Sequence, residues 1–290
     1  MTESNPKLAA VYMIGAVVSF TFMAVAGREL GGQLDTFEIM MYRSLIGIAI
    51  MLVVISAMRR WGDIHRRRMP MQLFRNLMHF TGQNLWFYAV TLIPLAQLFA
   101  LEFTVPIWVA LAAPLFLGES YTRVKTFCIA LGFVGILIVT RPGTLGLSVG
   151  IISAALSAIA FAITAICTKK LTQTENILTI LFWLTVIQAV LGLGFAGYDG
   201  DIALPVGINV FWILVVGCAG LMAHFSLTRA LHLAPASVVT PMDFARLPVV
   251  AVVGAMVYAE PLDPVILFGA VVIFTANYLN IRAEMRLKSI

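Results

Sequence analysis

Asp243 and Arg246 stand three residues apart in an apolar stretch bracketed by Pro241 and Pro248, a spacing that puts both side chains on one face of a helix. Ionised groups at the centre of a bilayer cost at least ~2.5–3.5 kcal/mol on insertion scales, so they face a partner or a wet cavity. Two readings follow: a local ion pair that cancels its own burial cost, or a charged lining for a polar or zwitterionic substrate. Each proline removes a backbone donor and frees a carbonyl, which either bends a helix or loosens backbone at a binding site. Glu102, followed by Pro106, stands in a similar stretch. Glu102 and Asp243 could bind a cationic group or take a coupling proton, because an apolar site favours the neutral form of a carboxyl. The competing account makes Glu102 a structural partner of Arg43.

Arg43 falls about two turns inside its own apolar run. It could snorkel outward or clamp a substrate carboxylate. His79 and Gln83 are four apart, with Trp86 and Phe87 one turn further on. This polar-aromatic stripe could hydrogen-bond and stack a planar metabolite, or make hydrogen bonds between helices. Phe20 and Phe161 could face the same cavity or simply pack. Cys128, Cys167 and Cys218 all lie in apolar runs and read as packing residues.

The elements that position these groups follow from composition. The 290 residues are 61% hydrophobic and 11% charged, against roughly 25% charged in a soluble domain. Lipid must be the solvent over most of the chain, and there only helices or closed barrels satisfy the backbone. Barrel strands alternate polar and apolar residues, whereas the long apolar runs Leu45–Ala57 and Val265–Tyr278 show no such alternation, with only Ser56, Thr275 and Asn277 polar. A bilayer core needs ~20 apolar residues per helix. Turn signals divide the chain into ten candidate spans, near 8–27, 37–57, 72–92, 95–117, 126–141, 148–168, 177–196, 208–229, 236–259 and 265–283. Asp35 with Glu38 forms a capping-box pattern before the second span. Asp263-Pro264 starts the last one, and Pro94 and Pro235 mark tight turns. The first apolar run resembles a signal peptide, but its length favours a transmembrane helix.

With the N-terminus inside, fourteen Lys and Arg fall in inner segments and two, Arg28 and Arg141, in outer ones. This bias predicts both termini on the cytoplasmic side. Shifting the chain by 141 residues against itself aligns Phe20 with Phe161, Arg28 with Lys169, Gln83 with His224, Pro94 with Pro235, Glu102 with Asp243, Phe103 with Phe244 and Glu119 with Glu260. The chain therefore divides into 1–143 and 144–290, five spans each. An odd number of spans inverts the second half, and inverted repeats are a recurring construction of secondary transporters, with the site between the halves.

The stretch from Arg75 to Arg141 and the stretch from Leu227 to Asn277 resemble the EamA-type half-repeats of the drug/metabolite transporter superfamily. The marks are Ala230-Leu231, Pro235-Ala236 and Glu260, with a looser copy at Ala89, Pro94-Leu95-Ala96 and Gly118-Glu119. Leu95 departs from the alanine that the pattern prefers. The resemblance covers nearly the whole chain. It implies an all-α membrane protein of ten helices in two inverted five-helix repeats, with a central cavity and alternating access without ATP hydrolysis. Family members move amino acids, S-adenosylmethionine, riboflavin and other metabolites. The segment Thr240–Pro248 is similar to that of S-adenosylmethionine uptake carriers. A bacterial inner membrane is implied in the same way.

Expected partners are lipid, a small metabolite and a coupling proton, with no cofactor, metal or nucleic acid. Basic residues are not interleaved with aromatics in stripes. Gly192-Leu-Gly-Phe-Ala-Gly197 lacks the strand that a dinucleotide site needs. Asp199 and Asp201 share one loop, unlike the separated aspartates of an intramembrane protease. An intramembrane enzyme and a channel or non-transporting subunit are the alternative readings. Glu119 and Glu260 read as caps or interface anchors.

Overall fold

The structure is a computed structural model that describes residues 5–117, 122–141, 148–171, 174–233 and 242–288. The first half holds α1 (Pro6–Leu30), α2 (Thr36–Ala57), α3 (Met69–Leu92), α4 (Leu95–Glu102), α5 (Val105–Leu117) and α6 (Arg123–Thr140). The second holds α7 (Val149–Leu171), α8 (Ile177–Ala196), α9 (Ile208–Leu233), α10 (Arg246–Tyr258) and α11 (Pro264–Lys288). No strand occurs among the described residues.

Eight of the helical segments are long and apolar enough to cross a bilayer. Many of their apolar side chains face outward, such as Val11, Ile14, Val53, Val190 and Phe268. The polar residues are turned inward. This arrangement is the reverse of a soluble protein and suits a lipid solvent. The protein is a multi-pass membrane protein.

The two remaining spans of the sequence reading miss the criterion for identifiable reasons. Helix α3 has 24 residues, but Gln72, Arg75, Asn76, His79, Gln83 and Asn84 lower its hydropathy, and all six are buried. Their helical spacing makes one polar stripe facing the bundle interior. The ninth span is divided. Met242 and Asp243 are helical, Phe244 and Ala245 form a turn, and α10 starts at Arg246 with only 13 residues.

The fourth span is divided as well, which corrects the expectation of one continuous helix over 95–117. Helix α4 ends at Glu102, Phe103 and Thr104 turn, and α5 starts at Val105. Pro106, at the second position of α5, has no N–H for the Glu102 carbonyl, so a continuous ladder cannot form there. The Thr104 N–H bonds Leu101 O at 3.1 Å, a three-residue spacing that tightens the end of α4. Pro248 stands third in α10 and leaves the Phe244 carbonyl without a four-residue donor. That carbonyl accepts from Leu247 N at 3.1 Å instead. Pro241 and Pro235, expected helix breakers or turn residues, and Glu119 lie outside the described residues.

Helix α1 packs on α9, α3 on α7, α2 on α8, and α6 on α11. Each pair joins the two halves. The 141-residue shift turns the first pair into the second and each of the others into itself. Small residues set the approach: a Cβ at Gly135 of α6 would come 2.6 Å from Ile273 Cγ1 of α11. The caps expected from sequence are present. Asp35 and Glu38 form the reciprocal capping box, and Asp263 Oδ1 accepts from Val265 N at 2.9 Å.

Candidate functional site

The two breaks put Glu102 and Asp243 at the ends of their half-helices, and Arg246 joins them. Its Nη2 lies 3.1 Å from Glu102 Oε1 and 2.9 Å from Asp243 Oδ2. The guanidinium is 4% exposed and lies over the rings of Phe20, Phe99 and Phe103, with 4.6, 5.0 and 5.2 Å to the centroids. Of the two sequence readings of the Asp243–Arg246 spacing, the local ion pair forms, and it extends across the molecule to Glu102 of the other half.

Glu102 does not pair with Arg43. Its second oxygen accepts from Trp86 Nε1 at 2.8 Å, so both carboxylate oxygens are held. Trp86 is 2% exposed, packed edge-on against Phe87 and Phe99. It fixes the carboxylate from within the core. Asp243 differs: Oδ1 is buried without a hydrogen-bond partner among the described residues. Two carboxylates against one guanidinium leave this cluster formally one negative charge in excess, and Asp243 Oδ1 is the acceptor that remains open.

Arg43 does not snorkel. It is 7% exposed, and its Nη1 reaches Gln83 Oε1 at 3.5 Å and Met40 Sδ at 3.7 Å. Gly220 on α9 makes the room, since a Cβ there would sit 2.7 Å from Arg43 Nε. The His79 ring lies 5.6 Å from His224 and 5.8 Å from Phe161, and His224 lies 5.9 Å from Phe20. The structure thus gathers Phe20 and Phe161 with the two histidines. A cavity beside them is lined by Arg43, Ser44, Gly47, Thr185, Gln188 and His224, among others.

Neither Gln188 nor Arg75 is among the candidate site residues of the sequence reading. Arg75 is 4% exposed and donates to Thr168 Oγ1 at 2.7 Å. It falls on the stripe of His79 and Gln83, and that periodicity is the available signal. Gln188 carries little, with only Thr185 three residues before it on the same face of α8.

Glu260 joins the halves at the far end of α10. It pairs with Arg28 of α1, and its Oε2 accepts from Leu95 N, the first residue of α4, at 2.8 Å. Arg28 Nε also donates to Val90 O at 2.7 Å. The glutamate thus caps the start of α4, one of the two readings given for it, and ties that helix to α1. Among the described residues no group of three or more His, Cys, Asp or Glu could hold a metal ion. Cys128 and Cys167 are buried, Cys218 is exposed, and all three are free.

Comparison with known proteins agrees with this architecture. The model of the EamA-like transporter family matches residues 7–141 and again 148–282. An S-adenosylmethionine uptake transporter of Rickettsia felis is 25% identical over 274 residues, 94% of this chain and 92% of its own. A riboflavin transporter of Rhizobium johnstonii is 28% identical over 284 residues, 98% and 94%. A pseudopaline exporter of Pseudomonas aeruginosa is 26% identical over 269 residues, 91% and 93%. A solved crystal structure superimposes with a TM-score of 0.67 at 15% identity, covering 96% of this chain and 98% of the other, a likeness of fold.

Proposed function

The chain belongs to the EamA-like transporter family, and from that premise we propose that it is a secondary transporter carrying a small polar or zwitterionic metabolite across the cytoplasmic membrane by alternating access. Its relatives carry names of transporters for S-adenosylmethionine and riboflavin, so an amino-acid-like, S-adenosylmethionine-like or flavin-like cargo is the class to test. The arrangement is ten spans, with residues 1–143 and 144–290 as inverted five-span repeats and both termini cytoplasmic. The excess of Lys and Arg in the inner segments supports that orientation.

One observation carries the reading: the fourth and ninth spans break at the same register, and the acidic residues at the two breaks share Arg246. Interrupted helices at the interface of two repeats are where carriers hold their cargo. A surplus negative charge in an apolar surround is costly. A cationic substrate group or a coupling proton at Asp243 Oδ1 relieves it, so Glu102 and Asp243 are also the carboxylates to test for coupling. Arg246 belongs to both halves' ion pairs, so a rocking motion that separates the breaks must remake this cluster.

Counterflow is the test. Proteoliposomes preloaded with unlabelled S-adenosylmethionine or riboflavin should accumulate the labelled compound transiently and saturably. A flux that never saturates identifies a channel. Turnover to a new product identifies an enzyme.

A further inference from the structure

Apart from the acidic cluster, α2 and α3 bury two guanidinium groups that have no carboxylate partner. No ion pair among the described residues includes Arg43 or Arg75. Among the described residues Arg43 reaches only an amide oxygen and a thioether, and Arg75 Nη1 is buried without an acceptor. Both arginines are close enough to His79 and His224 to act on them electrostatically. A buried cation without a partner is strongly destabilising, and two together repel. Across the cavity from Arg43, Gln188 Nε2 is a further buried donor without an acceptor. The acidic cluster holds a cation of its own, whereas this region offers guanidinium and amide N–H donors with no carboxylate to receive them.

We propose that the cavity between α2, α8 and α9 is an anion subsite, in which Arg43 and Gln188 bind a carboxylate or comparable oxyanion within the positive field of Arg75. The assignment rests on the transport reading above and narrows it. Phe20 touches both regions, 5.9 Å from the His224 ring and 4.6 Å from the Arg246 guanidinium. Phe20 therefore lies between His224, which lines the anion subsite, and the guanidinium of the acidic cluster. A single small metabolite reaches both when it carries a negative group at one end and a positive group at the other.

The test compares probes that differ only in the negative group. The melting temperature of the purified full chain is measured with S-adenosylmethionine and with its decarboxylated counterpart, and with sodium acetate against sodium chloride at equal ionic strength. The carboxylate-bearing member of each pair should stabilise the protein more. Arg43→Gln should weaken the apparent affinity for it by roughly 10- to 100-fold, the equivalent of one charge-assisted hydrogen bond at about 1.5–3 kcal/mol. Arg43→Lys should recover part of that loss. Gln188→Ala, a neutral change, should weaken it as well. Equal shifts within both pairs, no shift with any probe, or an Arg43→Gln protein that responds like the unmodified one would overturn the subsite. Carboxylate-dependent stabilisation without counterflow would leave the subsite standing and remove the transport reading.

Discussion

Replacing Arg246 by methionine takes away the one cation shared by Glu102 and Asp243. The side chain is 4% exposed, its Nη2 lies about 3 Å from each carboxylate, and its plane covers three phenylalanine rings. Removing one partner of a buried ion pair costs about 3–5 kcal/mol, because the other partner is left charged in an apolar surround. Here two carboxylates are stranded, so Arg246→Met belongs at the upper end of that range. Loss of the ring contacts adds ~0.5–2 kcal/mol. Neutralising the acids as well, in the triple variant Glu102→Gln, Asp243→Asn, Arg246→Met, should restore all but the ring-contact portion. The amide oxygen introduced by Glu102→Gln still accepts from Trp86 Nε1, so that hydrogen bond survives. Unfolding in mixed micelles with increasing dodecyl sulfate, followed by circular dichroism, gives the free energies. The triple variant should be nearly as stable as the unmodified protein and inactive in transport. A loss below about 1 kcal/mol for Arg246→Met, or a triple variant no more stable than the single one, would refute the reasoning that this cluster is held by charge.

Gly220→Ala places a methyl 2.7 Å from Arg43 Nε and should raise KM for a carboxylate-bearing substrate several-fold with little change in the unfolding midpoint, as read by uptake kinetics and thermal unfolding. Asp35→Ala removes the capping box at the start of α2 and should destabilise the protein by about 0.5–2 kcal/mol in the same micelle titration, with transport unaffected. Hydrogen bonding from Arg141, then from the Val265 N–H, holds the Asp263 carboxyl below its ordinary value of 3.8. A depressed acid stabilises the fold above its unfolded value and loses that contribution as pH falls through the folded one. Asp263→Asn should therefore lower the melting temperature slightly at pH 7 and abolish part of its decline below about pH 4, measured from pH 7 to pH 3.

The helices were legible because lipid demands continuous apolar stretches. Asp35, Glu38 and Asp263 announced their caps by type and position alone. The breaks were half-legible. Pro106 and Pro248 showed that a ladder had to fail nearby, but the ends at Glu102 and Asp243 depend on where each turn re-forms its hydrogen bonds. The 141-residue shift paired those two acids, yet it could not say that Arg246 binds both. That pairing comes from a tertiary crossing, and Arg43, equally apolar in its surroundings, was the rival candidate. Turn signals set the third span at 72–92, three residues short of the start of α3 at Met69, despite its polarity. What the stripe faces was invisible until α2, α7 and α9 were seen around it. Gln188 gave little local signal, since one glutamine in an apolar helix reads the same whether it bonds a neighbour or a ligand.

The central proposal is that one site is presented to the two sides of the membrane in turn; the Lys and Arg bias assigns Arg28 to the outer side, so its pair with Glu260 is the proposed outer closure. Ser44 lines the cavity beside Arg43 and is 4% exposed. With Cys128, Cys167 and Cys218 replaced by serine, Ser44→Cys provides a single thiol for a membrane-impermeant maleimide added from either side. The most direct measurement is how Glu260→Gln changes the labelling rate from each side. The account predicts a rise from the outside with a matching fall from the inside. Rates that rise together from both sides, as in an open pore, or that do not respond to the loss of this ion pair, would contradict it.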